Sequence, residues 1–416
     1  MRAKSVSSSQ LMIITVVGQG YVGLPISICA AEAGHTVFGF DIDQDKISKL
    51  KLGITDSPEV SKDKLLDLQS RNKISFSSSI DSGSGSSIFI IAVPTPLNSQ
   101  QKPDLSFLTS ACELIAQVAG PNSLIINEST SYIGTLRDLI KPTIDKLSGL
   151  LDLNYAVAPE RIDPGNKVWN IKSTPRNIAG LTTAATQQTA DFYSSFCDSV
   201  NVVSSPEVAE CAKLFENTFR QVNIALVNEL SQVASRLHFS THEAVMAAAT
   251  KPFGFMPFYP SVGVGGHCIP VDPSYLSYSA ELAGIDAKFI KLANQVNSSM
   301  PKAITEGVRE YLGKDLIGIK IQIAGISYKP NISDLRESPA LELIQELTMA
   351  GAIVSWHDPL VPDYEGQQSV ALTSEIDLGL VVTPHSQIDF SIWKKANIKV
   401  LDLSANSNDY GWPKFL

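Results

Sequence analysis

Cysteine is scarce in this chain of 416 residues. There are five, Cys29, Cys112, Cys197, Cys211 and Cys268, an odd number with no C-x-x-C pair. That excludes a disulfide framework as the main support of so long a chain and points to a reducing compartment, the cytoplasm. Positive charge is also short: 33 Lys and Arg stand against 42 Asp and Glu, a net charge of -9. Nucleic acid is therefore not an expected partner, because phosphate backbones need a basic face. A local basic pocket for a small phosphorylated ligand remains allowed. No apolar run reaches the roughly 18 residues of a membrane span, so no membrane partner is expected. The opening MRAKSVSSSQ lacks the apolar centre of a signal peptide and reads as a disordered leader over 1–10. There is no H-E-x-x-H or Cys/His cluster, so no metal is expected, and there is no repeat of the 20–50-residue kind.

What is present is apolar content of 44%, enough for large packed cores over two or three domains. The first third alternates β-rich runs with helical patterns. Leu11–Val17 reads as a buried strand, followed by Gly18-Gln-Gly-Tyr-Val-Gly23, a helix over Leu24–Ala33 stopped by Gly34, and a second strand Thr36–Phe40 ending at Asp41. Ser87–Val93, Ser123–Asn127 and Tyr155–Ala158 read as further strands, and Asp81–Ser87 as a mobile loop. Strands alternating with helices imply a doubly wound parallel sheet.

A lone G-x-G-x-x-G is weak evidence. Here it leaves a strand, opens a helix and is followed by an acid at the next strand's end, which is the context of a dinucleotide fingerprint. Gly18 permits the turn, Gly20 lets backbone approach a pyrophosphate, and Gly23 lets helix pack on strand. Asp41 would accept ribose hydroxyls, and no Arg follows it to welcome a 2′-phosphate, so NAD is expected over NADP.

From about residue 205 the pattern is helical through Leu237, then over Glu243–Ala249 and Leu276–Asn297. Lys213 and Asn217 lie at i, i+4 and share a face. A second strand-helix series follows: Lys320–Lys329, a helix Pro339–Met349, then Ala352–Trp356, Leu378–Val382 and Ile398–Asp402. The expected fold is α/β, two Rossmann-like doubly wound domains joined by a central helical segment, with boundaries 11–204, 205–300 and 301–416.

Between them lies the most informative stretch, Val262-Gly-Val-Gly-Gly-His-Cys-Ile-Pro-Val-Asp-Pro273. Cys268 follows a glycine turn and precedes Asp272 by four residues. A thiolate there can attack a carbonyl carbon and the Asp can handle protons. A tight turn around a buried structural cysteine fits this stretch alone equally well. His267 either biases the thiol toward thiolate or faces elsewhere, the second being favoured. The other four cysteines lie in helical apolar patterns and read as core.

At this point ordered blocks carry a resemblance: GQGYVGLP (18–25), VPTPL (93–97), NEST (127–130), PERIDPGN (159–166), AKLFENTF (212–219), GVGGHCIPVDP (263–273) and SYKPNISDLRESP (327–339). In this order they resemble the nucleotide-sugar 6-dehydrogenases, the family of UDP-glucose and GDP-mannose dehydrogenases, over about residues 13–410. PERIDPGN and KPFGFMPFYP (251–260) are most similar to enzymes of UDP-N-acetylhexosamines. The resemblance implies NAD as cofactor, a UDP-sugar substrate and a homodimer or higher oligomer. It makes Cys268 the nucleophile, Lys213, Asn217 and Asp272 its helpers, Glu160 the carboxylate of thioester hydrolysis and Thr130 a holder of water. It places Gly18, Gly20, Tyr21, Val22, Gly23, Asp41, Lys46, Val93, Thr95, Thr130 and Arg336 at the dinucleotide. It places Glu160, Arg161, Lys213, Asn217, Tyr259, Gly263, Gly265 and Lys329 at the substrate. The implied chemistry is a four-electron oxidation of a primary alcohol to a carboxylate in two steps, through a thiohemiacetal and a thioester on Cys268.

Three departures from the family pattern stand out. Lys251-Pro252 replaces an arginine that reaches the sugar in relatives using UDP-glucose. Asp402-Leu-Ser404 replaces Asp-x-Arg. Asn331-Ile332 stands where an acid and Thr or Val are commoner. Alternatives at this stage are a UDP-glucose 6-dehydrogenase, a single-hydride β-hydroxyacid dehydrogenase, which needs no cysteine, and a dinucleotide-binding scaffold with a decayed site.

Overall fold

The computed structural model describes residues 11–55, 57, 60–162, 168–266, 269–405 and 410–416. The leader over 1–10, the end of the PERIDPGN block (163–166), His267 and Cys268 lie outside the described residues. The chain divides into two compact units, 1–215 and 216–416.

The first unit is built on eight strands: β1 Ile13–Val17, β2 Thr36–Phe40, β3 Ile74–Ser77, β4 Ile88–Ile91, β5 Leu124–Asn127, β6 Asn154–Val157, β7 Arg176–Gly180 and β8 Val200–Val202. Their order is β3-β2-β1-β4-β5-β6-β7-β8. Neighbours from β3 to β6 are parallel, and β7 turns against β6 before β8 runs parallel to β7. The central strands β4 and β5 are fully buried, Ile-rich runs, as a sheet covered on both faces requires. The order reverses between β1 and β4, and at such a switch the strand ends part to form a binding crevice.

The segment Asp81–Ser87 is a packed turn and not a mobile loop. A 3-10 turn spans Ile80–Gly83, and a Cβ on Gly83 would lie 2.4 Å from Thr15 Oγ1. Thr15 Oγ1 also shares a 2.8 Å hydrogen bond with Ser86 Oγ, so the buried Ser86 pairs with the sheet while Ser82, Ser84 and Ser87 stay exposed.

The second unit carries a four-stranded all-parallel sheet of β9 Lys320–Ala324, β10 Ile353–His357, β13 Leu378–Val381 and β14 Val400–Asp402, in the order β10-β9-β13-β14. A two-residue hairpin, β11 Asp363–Tyr364 and β12 Gln367–Gln368, lies between β10 and β13. Ile321, Ile323, Leu343, Leu347, Trp356, Leu378 and Leu380 form its core.

One long helix, Pro206–Leu237, leads from the first unit into the second. The single helix read over Leu276–Asn297 is two, Asp272–Leu282 and Lys288–Leu312. Gly284, with φ +75°, ends the first in the left-handed conformation that glycine adopts without strain.

Candidate active site

In the first unit the candidate residues collect at the carboxyl ends of β1, β4, β5 and β6. Gly18 has φ +95°, and a Cβ there would stand 2.3 Å from the Ala92 carbonyl oxygen, just beyond β4. A Cβ on Gly23 would stand 1.8 Å from the Gly18 carbonyl oxygen. Both glycines are thus demanded by the packing of the turn itself. At Gly20 an added Cβ meets nothing within 4 Å, so the fold makes no such demand there. The helix Gly23–Glu32 begins at Val22 with no side-chain cap and no acid in its first turn. Its first N–H groups and the positive end of its dipole therefore suit a phosphate anion.

Asp41 follows β2 and is buried. Its carboxylate accepts from Gln19 N at 2.9 Å, Asp43 N at 3.0 Å and Lys46 Nζ at 2.8 Å. A carboxylate offers about four acceptor sites, so these partners orient it and leave capacity for a hydroxyl donor. These features fit a dinucleotide: a tight glycine turn, an uncapped helix end and an oriented acid one strand away. A 2′-phosphate would meet the Asp41 charge, although Lys46 offsets part of it. NAD should exceed NADP in kcat/KM by about a hundredfold, which corresponds to about 2.7 kcal/mol. Comparable initial rates with the two cofactors would overturn this role for Asp41.

Val93 and Thr95 follow β4, and Thr130 follows β5. Ser129 joins them, its hydroxyl donating to Val93 O and accepting from Val93 N, both at 2.9 Å. Glu160 follows β6 and is buried, and its backbone N–H donates to Glu128 O at 3.4 Å. Arg161 donates to Pro175 O at 2.7 Å.

Two groups at this edge went unnoticed in the sequence. The first is the buried pair of Glu128 and Arg176, joined at 2.5 Å. The second is Glu210, on the long helix three residues before Lys213. Its carboxylate accepts from Gly134 N at 2.6 Å and Leu136 N at 3.2 Å. It thereby fastens the helix of Lys213 to the segment that follows Thr130.

Burial pushes the Glu210 carboxyl up to about 7, with nearby Glu207 and Asp138 adding to the rise and the two N–H bonds opposing it. A folded-state pKa above the unfolded one means Glu210 contributes stability that is full below about 4.5 and lost as pH rises through about 7. Wild type should therefore gain on Glu210→Gln by about 2–4 kcal/mol between pH 8 and pH 4. Denaturant unfolding of both proteins at several pH values measures the difference. A pH-independent gap would refute this view of Glu210.

In the second unit Asn217 Nδ2 donates to Asp272 Oδ2 at 2.5 Å. Asp272 is buried at the first position of its helix, where the dipole favours negative charge. Lys213 lies one turn before Asn217 on the long helix and is itself buried. The glycines at 263, 265 and 266 are explained by packing. Added Cβ atoms would stand 3.1 Å from Asn297 O at Gly263, 2.8 Å from Glu337 O at Gly265, and 2.7 Å from the Tyr328 ring at Gly266. Gly266 N also donates to Arg336 O at 3.0 Å. The glycine loop thus lies flush on the segment carrying Lys329 and Arg336.

Asp358 and His385, both buried, anchor that segment. Asp358 accepts from Ile326 N, Ser327 N, Ser327 Oγ and His385 Nε2. Burial raises its carboxyl, but His385 and the backbone donors outweigh that and hold it at about 2. Arg336 makes a forked pair with Asp334, down to 2.6 Å. Tyr259 stacks on His242 with ring centroids 5.2 Å apart.

Two of the three departures acquire a reason. Asn331 has φ +66°, a left-handed conformation that Asn adopts readily, and its Oδ1 accepts from Ser386 N and Oγ at 2.9 Å. At Ser404 the cation comes from elsewhere, Lys414 Nζ lying 2.9 Å from Asp402 Oδ2 and 3.0 Å from Ser404 Oγ. Lys251 is exposed over the Phe253 ring at 5.0 Å, and nothing else in the structure accounts for it.

Among the described residues no group of three or more His, Cys, Asp or Glu side chains could hold a metal ion, and no helix is long and apolar enough to cross a membrane.

Comparison with known proteins gives the class. Three domain models match in succession: the NAD binding domain of the UDP-glucose/GDP-mannose dehydrogenase family over 12–197, its central domain over 207–299 and its UDP binding domain over 322–403. Protein CapL of Staphylococcus aureus is 36% identical over 386 residues, covering 89% of each chain. A UDP-N-acetyl-D-glucosamine 6-dehydrogenase of Pseudomonas aeruginosa is 34% identical over 367 residues, covering 86% of each. The solved structure of a UDP-D-ManNAc dehydrogenase from Pyrococcus horikoshii superposes with a TM-score of 0.86 at 32% identity, covering 96% of this chain and 98% of that one. The protein is thus a dehydrogenase with an NAD-binding domain. It belongs to the UDP-glucose/GDP-mannose dehydrogenase family.

Proposed function

We propose that this chain oxidises the C6 hydroxyl of a UDP-N-acetylhexosamine to the uronic acid in two NAD-dependent steps. The observation that carries the reading is the uninterrupted run of the family's NAD-binding, central and UDP-binding domains. Relatives at 34–35% identity are named for UDP-N-acetyl-D-glucosamine and UDP-N-acetyl-D-mannosamine, which supports an N-acetylated sugar. The domain organisation proposed with it is 11–204 for NAD, 205–300 central, and 301–416 for the UDP-sugar.

The roles proposed follow the chemistry. Gly18 to Gly23, Asp41, Lys46, Val93, Thr95, Thr130 and Arg336 serve the dinucleotide, which takes up the hydrogen and two electrons leaving C6 in each oxidation. Lys213 and Asp272, with Asn217 orienting the Asp, remove the hydroxyl proton and stabilise the developing alkoxide. Cys268 then adds to the aldehyde, and oxidation of the resulting thiohemiacetal gives a thioester. Glu160, with Thr130, directs water onto that thioester. Arg161, Tyr259, Gly263, Gly265 and Lys329 hold the sugar nucleotide.

NADH release measured over a panel of UDP- and GDP-sugars tests the reading. Two NADH per sugar are expected, with UDP-N-acetylhexosamines the preferred substrates. Preference for UDP-glucose would refute the sugar assignment, and one NADH per sugar would favour the single-hydride alternative.

A cytoplasmic homodimer is proposed as well. Leu226, Leu230, Val233 and Leu237 recur at helical spacing on the long helix and are 36–68% exposed, which supports a face that a second copy covers. A monomer by light scattering would refute it.

A further inference from the structure

We infer that Glu128, Arg176 and Tyr193 form a clip that registers Thr130 against Glu160 and thereby sets the rate of thioester hydrolysis. The inference rests on the two-step reading above. None of the three has been given a role at the reacting atoms, so all are positioning residues.

Arg176, the first residue of β7, sends its Nη1 to two places. One is Glu128 Oε2 at 2.5 Å, just after β5; the other is the Ala158 carbonyl at 3.1 Å, just after β6. The backbone closes the same gap, Glu160 N donating to Glu128 O. One guanidinium therefore ties the strand end that continues into Thr130 to the strand end that continues into Glu160. The clip stands on rigid support. Tyr193 donates its hydroxyl to Glu128 Oε1 and lays its ring 4.7 Å from the Arg176 guanidinium, and Phe192 and Phe196 pack edge-on around that ring.

Both charges are buried. Replacing such a pair by apolar residues is often neutral or stabilising, so stability alone gives little reason to keep it. Hydrolysis supplies a reason. The water oxygen must bond to the acyl carbon while its proton passes to the Glu160 carboxylate. The C–S bond breaks, and Cys268 leaves as thiolate, with no change in oxidation state. A hydroxyl on one strand and a carboxylate on the next must hold that water together. A misplacement of about 1 Å between them costs rate as much as a missing group. The two oxidations use Thr130 at the dinucleotide and Glu160 at the sugar separately, so only hydrolysis requires the two to meet on one water.

The test is rapid-mixing kinetics of Glu128→Gln, Arg176→Lys and Tyr193→Phe in the full chain with NAD and a UDP-N-acetylhexosamine. Expected is a burst of two NADH per folded site at near wild-type rate. A steady state ten- to a hundredfold slower should follow in the first two variants, with a smaller slowing in Tyr193→Phe. Intact-protein mass should show the acyl adduct building up. Burst and steady state falling by one common factor would mean a structural role only and would overturn the inference. So would a wild-type steady state in any folded variant. Tyr193→Phe keeps the ion pair and decides the matter if the other two fail to fold. Glu160→Gln is run alongside: absence of both burst and adduct in that protein would sink the thioester reading itself, separately from the clip.

Discussion

Replacing Cys268 by Ser should cut overall turnover by about three orders of magnitude or more, as loss of a covalent nucleophile does elsewhere. The effect should fall unequally on the two oxidations. The first removes hydrogen from an alcohol before any bond to sulfur exists, and it depends on Lys213 and Asp272. The second needs a tetrahedral carbon bearing both hydrogen and a group that can become an acyl bond, which the thiohemiacetal provides. A serine hydroxyl is a far weaker nucleophile at neutral pH than a thiolate. The variant should therefore yield at most a trace of aldehyde from the sugar nucleotide, yet still reduce NAD slowly when given the aldehyde, whose hydrate is oxidisable without sulfur. Steady-state NADH release on both substrates makes the comparison. Full turnover of the alcohol by Cys268→Ser would remove the covalent mechanism and leave the single-hydride alternative.

The fold was legible where physical chemistry leaves few options. The strands β1, β2, β4 and β5 are short, largely apolar runs rich in β-branched and aromatic residues, the pattern of a sheet with both faces covered. The fold class follows from them. Less legible were β7 and β8, written Arg-Asn-Ile-Ala-Gly and Val-Asn-Val. They are short, polar and edgeward, and they owe their conformation to the neighbours they pair with. The division at Gly284 was visible as a glycine but was outweighed by the apolar periodicity on either side. The packed turn at Asp81–Ser87 was unreadable for the opposite reason. Its serines look solvated until Thr15 is seen to receive one of them.

The candidate site divides similarly. Residues that belong to local motifs, such as Gly18, Gly23 and Asp41, could be singled out because they fall within one strand-turn-helix-strand stretch. Glu128, Arg176 and Glu210 could not. None of them belongs to a local spacing motif, and the partner lies 48 residues away for Glu128 and Arg176 and 74–76 for Glu210. The one available signal was the type itself, since Glu and Arg are almost never fully buried unless paired. The glycines of the 263–266 loop carry a different lesson. The resemblance puts Gly263 and Gly265 at the substrate, and the described structure packs Gly263, Gly265 and Gly266 against the chain's own Asn297, Glu337 and Tyr328 on the side where a Cβ would stand. A glycine motif reports close approach, and only the structure says of what.

That distinction makes the second large effect predictable within one motif. Gly23→Ala should destabilise the first unit by about 3 kcal/mol, because its Cβ would overlap the Gly18 carbonyl oxygen at 1.8 Å and backbone cannot give way as a side chain can. Loss of NAD binding should follow as a consequence of lost structure. Gly20→Val should do the reverse. A Cβ there meets nothing within 4 Å, so unfolding free energy without ligand should stay within about 0.5 kcal/mol of wild type. It would, however, occupy the face on which a pyrophosphate must approach the helix end. NAD affinity should fall at least about tenfold, or 1.4 kcal/mol. Denaturant unfolding with and without saturating NAD separates the two cases, since a ligand stabilises only what it binds. Wild type should gain stability on adding NAD, whereas Gly20→Val should start equal to wild type and gain little. Gly23→Ala should start low. A Gly20→Val protein that is stabilised by NAD as strongly as wild type would mean that the pyrophosphate does not lie on this turn, and the dinucleotide reading of Gly18 to Gly23 would fall with it.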